Sequence, residues 1–258
     1  IAAPAQQEQL DQSRAQESER QERRNQERAE VVAPPPPSSD LPADESVRFH
    51  ISHVTVEHQT ERFRFLERAA RPYEGRELSL REINELVTAM NRALMSRGFS
   101  TSRVAVPEQN LSSGELRLVL LVGYIHAVRF ADDSAVIYWK NLFPFREGDV
   151  LNVRDIEQGI EQAKRLPSQD ISVRLLPADE PQMTDIVLNV KRGRNVYGTI
   201  SFDDSGLEDT GKLQWYASLG IDQLFHKNDM LRIGLNLDSA QDGYEKGTRG
   251  HNISYTYP

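Results

Sequence analysis

The chain has 258 residues, of which 27% are charged, and its formal net charge is -8. This acidic balance argues against a general nucleic-acid binder, because neutralising phosphates requires a basic surface. The chain contains no cysteine, which excludes a disulfide framework, a thiolate metal site and a thiol nucleophile.

Two absences bear on membrane association and export. No run of the sequence reaches the roughly 18 consecutive apolar residues that a membrane-spanning helix needs, so we expect either a soluble protein or a β-barrel. The start of the chain lacks a basic region followed by an apolar core, so an exported protein would be present here in mature form.

The N-terminal segment, residues 1–32, is rich in Gln, Glu and Arg. Between residues 6 and 30 it has no Gly or Pro and one large apolar residue, Leu10, so it predicts a helix without a core-facing stripe. The alternatives are a disordered charged tail and a helix that lies in an aqueous pore, where its length of about 40 Å would span a bilayer. In a pore, Arg20, Arg24 and Glu27 would pair with charges of the lumen.

A proline-rich linker follows in residues 33–46. Pro34, Pro35, Pro36 and Pro37 are consecutive, and this composition favours an extended polyproline conformation that cannot continue a helix. The linker therefore separates the N-terminal segment from a folded module that begins near Val47.

The most informative feature is an internal repeat. The nine residues from Gly75 to Ile83 match those from Gly148 to Ile156, at a constant spacing of 73 residues. Each copy contains a helix N-cap residue, Ser79 or Asn152, and an acidic residue three positions later completes the pattern of a capping box. Both copies are therefore predicted to start a helix at the same place.

Apolar periodicity predicts the same order of elements around both caps, namely strand, helix, helix, strand, strand. The first copy occupies residues 47–123 and the second residues 124–194. The predicted strands and short helices are Phe49–Val56, Glu61–Ala70, Phe99–Val106 and Leu116–Val122 in the first copy, and Ile125–Phe130, Ser134–Leu142, Ile171–Leu176 and Ile186–Val190 in the second.

From residue 195 the pattern changes to long alternating segments separated by polar turns. The segment Leu213–Asp222 alternates apolar and polar residues, as does the segment that begins at Leu231. Alternation over about ten residues is typical of a transmembrane β-strand, although an ordinary half-buried antiparallel sheet has the same signature. Val196–Asp203 and Thr248–Tyr257 complete a predicted set of four strands in residues 195–258.

The repeated unit resembles a POTRA domain, and the order of segments resembles the TpsB transporters of two-partner secretion in the Omp85 superfamily. The carrying features are the polar N-terminal helix, the proline linker, the repeat, and the segment Gly198–Gly206, which reads Gly-Thr-Ile-Ser-Phe-Asp-Asp-Ser-Gly. The resemblance implies α+β POTRA-like repeats followed by an antiparallel transmembrane β-barrel. Family members complete 16 strands, and four strands cannot close a barrel, so we expect the sequence to be a fragment.

No residue pattern predicts bond-making chemistry or a cofactor. His50 and His53 would face opposite sides of one strand, so we do not expect them to share a metal with His58. Asp203 and Asp204 are neighbours that face opposite ways on a strand, and we expect them to shape a turn instead of forming a catalytic pair. We therefore expect a protein that is not an enzyme and binds no metal.

The resemblance implies a binding site for an unfolded polypeptide at a sheet edge. In a POTRA-like unit, the strand after the second helix is expected at an edge, where an extended peptide can be added as a further strand. In the first unit this strand is predicted as Ser100–Val106. Thr101, Arg103 and Ala105 are the residues expected to bind the unfolded polypeptide, which we call the client. A solvated edge without any ligand is the alternative.

The sequence thus predicts an outer-membrane translocator that docks an unfolded exoprotein on periplasmic POTRA-like units and exports it without ATP. The expected partners are a TpsA-type exoprotein and the lipid of the outer membrane, with no nucleic acid, and the protein is expected to be a monomer. Two alternatives remain, an insertase that assembles outer-membrane proteins and a periplasmic scaffold without a barrel.

Overall fold

The computed structural model describes residues 47–58, 60–203, 213–239 and 249–258. The predicted N-terminal helix with Arg20, Arg24 and Glu27, the proline linker and the turn after Asp203 lie outside these residues. None of the described helices is long and apolar enough to cross a membrane.

The first unit, residues 47–123, contains two small sheets and two α-helices. Strand β5 lies between β2 and β4, with β2 parallel and β4 antiparallel to it, while β1 pairs with β3. The elements are β1 (Arg48–Ile51), β2 (His53–Glu57), α1 (Phe65–Ala70), β3 (Arg76–Ser79), α2 (Leu80–Ser96), β4 (Arg103–Ala105) and β5 (Glu115–Leu121).

The second unit, residues 124–194, repeats the topology of the three-stranded sheet. Its last strand, β8, is central, with β6 parallel to it on one side and β7 antiparallel on the other. The elements are β6 (Tyr124–Phe130), α3 (Val153–Lys164), β7 (Gln169–Pro177) and β8 (Met183–Arg192). The prediction that both units are built alike is confirmed for the three-stranded sheet and for the helix that follows the cap.

The predicted helix Ser134–Leu142 is wrong. The structure has only a 3-10 turn there, Trp139–Asn141. The rings of Phe143 and Phe145 lie 5.2 Å apart against α3, and a Cβ placed on Gly159 would lie 2.0 Å from the Phe143 ring. The Phe143 ring therefore packs directly on α3, where position 159 has no side chain. The segment is a loop with a single 3-10 turn, held to the core by these two rings.

The repeated residues make equivalent local contacts. Gly75 and Gly148 have φ values of 68° and 90°, which favour glycine, and their N–H groups bond to the carbonyl oxygens of Ile51 and Ile125 at 2.8 and 2.7 Å. A turn of the same shape therefore precedes the cap in both units.

The two helix caps differ. Ser79 and Glu82 form a complete capping box, with the Ser79 Oγ accepting from the Glu82 N–H at 3.3 Å and the Glu82 carboxylate from the Ser79 N–H at 2.9 Å. The predicted box in the second unit is wrong, because the Asn152 side chain accepts from the Arg154 N–H. The amide of Asn152 also binds the first unit, which fixes its orientation.

Helix α2 packs on the sheet as its periodicity predicts. Ile83, Met90 and Leu94 are each at most 1% exposed and belong to the core of the first unit. The phase of the predicted helix is therefore confirmed.

Four antiparallel strands follow the second unit in sequence order. Their bounds are β9 (Val196–Asp203), β10 (Leu213–Asp222), β11 (Met230–Ser239) and β12 (Arg249–Thr256). Each strand pairs with its neighbour in a regular register, and each bound lies within one residue of the predicted one. Alternation of side chains was therefore a sufficient guide to these strands.

Candidate functional site

Strand β4 lies at an edge of its sheet, as expected for the docking strand. It is shorter than predicted, because Thr101 belongs to the turn that precedes it. The Thr101 hydroxyl is buried and the residue packs against Gly123, so Thr101 cannot line the edge. Arg103 is exposed and Ala105 is partly buried, and both lie in the strand.

The outward backbone groups of Val104, on the outer side of β4, are already bonded. The N–H of Val104 donates to Oδ1 of Asn91 at 2.7 Å, and the Nδ2 of Asn91 donates to the carbonyl of Val104 at 3.4 Å. Because neighbouring residues of an antiparallel edge strand alternate in direction, Arg103 and Ala105 turn their backbone groups toward β5 and Val104 turns its groups outward. Val106 is the first residue after β4, and in a continued strand its groups would also face outward. The Asn91 amide therefore occupies one of the two outward positions.

Glutamate side chains protect the opposite edges of both sheets. The Glu74 carboxylate accepts from the N–H of Val54 on β2 at 3.1 Å, and Glu147 accepts from the N–H of Val128 on β6 at 3.0 Å. Glu74 and Glu147 are one repeat apart. Satisfying an edge N–H with a charged side chain makes the edge less available for pairing with another strand.

The two units are bonded end to end through α2 and α3. Ser96, Arg97 and Gly98, at the end of α2, offer carbonyl oxygens that accept from unit two at 2.6, 3.0 and 2.9 Å. The donors are, in the same order, the Arg154 guanidinium, the Asn152 amide and the Val153 N–H. Carbonyls that a helix end leaves unpaired are thus satisfied by the next unit, and we call these contacts the elbow.

A buried polar contact joins the second unit to the turn between β10 and β11. In this turn Gln223, His226 and Asn228 have φ values of 58–59°, and such conformations persist only where the surroundings hold them. The Gln223 amide donates to Gln169 and to Asn228 at 3.0 Å, and the Asn228 amide donates to Tyr138 O and to Asn141 at 2.8 Å.

Charged and aromatic groups complete this turn contact. Asp222, which is fully buried, accepts from the Ser168 N–H at 3.0 Å and from the Tyr197 hydroxyl at 3.1 Å. Asp229 accepts from the N–H groups of Phe225 and Lys227. The second unit is therefore fixed to the four-stranded sheet by hydrogen bonds between buried polar groups.

The four-stranded sheet has one apolar and one polar face. Register places Trp215 beside Phe202 and Leu237 on one face and Tyr216 beside Ser201 and Asn236 on the other. Large apolar side chains on the first face are exposed, as a lipid-facing surface requires. They are Val196, Ile200, Phe202, Trp215, Leu219, Leu235, Leu237, Ile253 and Tyr255.

Aromatic pairs lie near both ends of this apolar face. The rings of Phe202 and Trp215 are 4.4 Å apart, and those of Phe225 and Tyr255 are 5.9 Å apart. The two pairs are separated by about six residues of strand, roughly 20 Å. An apolar band of about this height between aromatic girdles is typical of strands that cross a bilayer.

Two of the three histidines considered for metal binding lie beside glutamate carboxylates. His53 Nδ1 is 2.9 Å from Glu74 Oε1, and His58 Nε2 is 2.9 Å from Glu67 Oε1. Within the described ranges, no group of three His, Cys, Asp or Glu residues is placed to hold a metal ion.

Comparisons with protein families agree with this geometry. Residues 49–123 match the POTRA domain of ShlB type, residues 124–177 match a POTRA domain, and residues 182–258 match the haemolysin secretion/activation protein ShlB/FhaC/HecB. Tandem POTRA units, followed by a sheet with an exposed apolar face, define a POTRA-bearing protein of the outer membrane. The chain belongs to the TpsB family of the Omp85 superfamily.

Individual relatives are similar over most of the chain. It is 44% identical over 198 residues to the outer membrane transporter CdiB-2 of Burkholderia pseudomallei, covering 77% of this chain and 34% of that protein. The corresponding values for CdiB of Dickeya dadantii are 33% over 189 residues, 69% and 34%. The solved structure of CdiB from Escherichia coli is 25% identical with a TM-score of 0.71, covering 99% of this chain and 47% of that one. The chain thus spans about a third of the length of these two relatives.

Proposed function

We propose that this chain is part of an outer-membrane translocator that exports an unfolded exoprotein. The two units bind the client in the periplasm, and the sheet contributes to a pore through which the client passes without ATP. The observation that carries the proposal is a continuous series of hydrogen bonds. They run from the first unit through the elbow and the β10–β11 turn to a sheet with an exposed apolar face.

We also propose a transport role without bond-making chemistry, because the named relatives are transporters. The protein is proposed to act as a monomer in the outer membrane, with a TpsA-type exoprotein as its client. The transport role and the location are properties of the complete relatives, of which the chain covers about a third, and we extend them to this protein as proposals.

Client recognition is proposed to occur by strand addition to β4. The outward groups of Val104 and Val106 are the bonding positions, and the exposed guanidinium of Arg103 and the methyl group of Ala105 face the side chains of the added strand. Arg103 therefore favours a polar or acidic client residue beside it. Thr101 is not part of this proposal, because its hydroxyl is buried.

The experiment that tests this site replaces Val106 with proline. V106P removes an outward N–H without touching the ladder between β4 and β5, so it should abolish co-purification of the full chain with N-terminal segments of candidate exoproteins. V106A shortens the side chain but retains the N–H, and it should co-purify as the unaltered protein does. Equal capture by V106P and V106A would show that strand addition at β4 is wrong.

The N-terminal segment is proposed to plug the pore, with Arg20, Arg24 and Glu27 bonded to lumen charges. Exposed ion pairs each contribute under about 1 kcal/mol, so the plug would be displaceable by a client. Deletion of residues 1–33 from the complete transporter should raise ion conductance in planar bilayers and leave secretion largely intact. Unchanged conductance would contradict the plug.

A further inference from the structure

The Asn91 side chain reproduces the hydrogen-bonding pattern of a neighbouring strand. Its amide accepts from the Val104 N–H and donates to the Val104 carbonyl, as the peptide groups of an added antiparallel strand would. Val104, whose backbone is bonded in this way, is only 3% exposed. A client strand cannot bond Val104 while the Asn91 amide remains in place, because both would need the same two groups.

A second amide in the same unit provides a comparison. Gln109 accepts from the Arg117 N–H at 2.7 Å and donates to the Arg117 carbonyl at 2.8 Å. It bonds β5 at a position that the three residues of β4 do not reach. Gln109 therefore completes the edge of the sheet but does not occupy the position where a strand would be added to β4.

The position of Asn91 is specific to the first unit. One repeat later, helix α3 has Lys164. An ammonium group can donate hydrogen bonds but cannot accept them, so it cannot bond a peptide group at both its N–H and its carbonyl. The bidentate contact is therefore not a general requirement of the shared topology.

We propose that the Asn91 amide is a built-in competitor of the client strand, which must displace it before pairing with β4. This inference rests on the proposed function, because it sets the affinity of the same docking edge. Displacement makes binding weaker than an open edge would allow, so Asn91 favours clients that also bond Val106 and contact Arg103.

The experiment measures binding of a fluorescent peptide of alternating valine and threonine, with a lysine at each end, to the full chain in detergent. We expect N91A to bind this peptide about tenfold more tightly than the unaltered protein, since two competing hydrogen bonds are removed. Q109A should leave the affinity unchanged. A peptide N-methylated at alternate residues should bind none of these proteins.

A second measurement guards against an unfolded variant. N91L keeps a side chain of similar volume, and hydrogen exchange should show the Val104 amide unprotected in free N91L and protected again once the peptide is bound. In the unaltered protein, this amide should be protected in both states.

The outcomes separate the two proposals. If V106P abolishes peptide binding but N91A and N91L bind no more tightly than the unaltered protein, the competitor inference is overturned and the docking edge stands. If V106P binds as well as V106A, or no protein binds the peptide, the docking edge fails and the inference fails with it.

Discussion

The two POTRA units share a sheet topology but fill the space beside their long helices differently. In the first unit, the 3-10 turn Glu61–Phe63 supplies Phe63 to the core and α1 supplies Leu66, while Leu86 of α2 is fully buried. In the second unit, Gly159 occupies the position of Leu86 one repeat later, and the Phe143 ring lies against it. A missing side chain on one helix thus accompanies the loss of the other helix.

The edges differ as well. Strand β4 has three residues and an amide on its outer side, whereas β7 has nine residues. The second unit bonds to the first unit at one end and to the β10–β11 turn at the other. The second repeat has thus diverged into a unit that connects the first unit to the sheet, whereas the first unit has the short edge strand that we propose as the docking site.

The largest expected effect is a loss of stability caused by truncating a large core residue that only the first unit has. Met90 is fully buried, and the equivalent residue one repeat later is Ala163. M90A should destabilise the first unit by about 2–5 kcal/mol, because the cavity it leaves is only partly filled. Loss of protection from hydrogen exchange in α2, with α3 unchanged, would be the observation. M95A is the control, since Met95 is 47% exposed, and equal effects of the two variants would contradict the assignment.

An intermediate effect is expected at the elbow. Removing the Asn152 amide together with the Arg154 guanidinium deletes two of the three bonds to α2, each contributing about 0.5–1.5 kcal/mol. The distance distribution between spin labels on the two units should broaden. S79A removes the equivalent cap in the first unit, where it makes no contact between units, and should leave that distribution unchanged. Identical distributions in both variants would show that the elbow does not hold the units together.

The smallest effect is a pH dependence confined to the first unit. The pKa of Glu82 is lowered chiefly by the hydrogen bond from the Ser79 N–H, with Arg48 and Arg76 contributing. A lowered folded-state pKa gives stability that is complete above the unfolded pKa and is lost as the pH falls through the folded pKa. The start of α2 should therefore lose protection from hydrogen exchange as the pH falls through the lowered pKa of Glu82, and E82Q should lack this change. Because Asn152 has no acidic partner, the start of α3 should show no matching loss.

Patterns with a fixed period predicted most of the fold. Alternation located β9 to β12 within one residue, and the buried stripe of α2 fixed which side of that helix meets the sheet, since both follow from local geometry. The helix predicted around Ser134 failed because ring packing on Gly159 overrides the local pattern, and a glycine inside a helix was the signal available in the sequence.

The candidate site was less predictable. The edge position of β4 followed from topology, but the placement of Thr101 did not, because the strand begins after a turn packed on Gly123. Asn91 was missed because its two bonds join residues 13 apart that only the tertiary fold brings together. A polar residue beside Val87, Met90 and Leu94 on an otherwise apolar stripe was the clue. The contact of Gln223 and Asn228 with the second unit has no comparable sequence signal.

The bonds between the end of α2 and the start of α3 have a mechanical consequence. If the chain exports a polypeptide as proposed, traction on the first unit would load the bonds from Asn152, Val153 and Arg154 together, and hydrogen bonds pulled in parallel share the load. The load would then reach the hairpin of β10 and β11 through Asn228 and Gln223. Under the proposed function, a pull on the first unit would therefore reach the β10–β11 hairpin through two sets of hydrogen bonds in series.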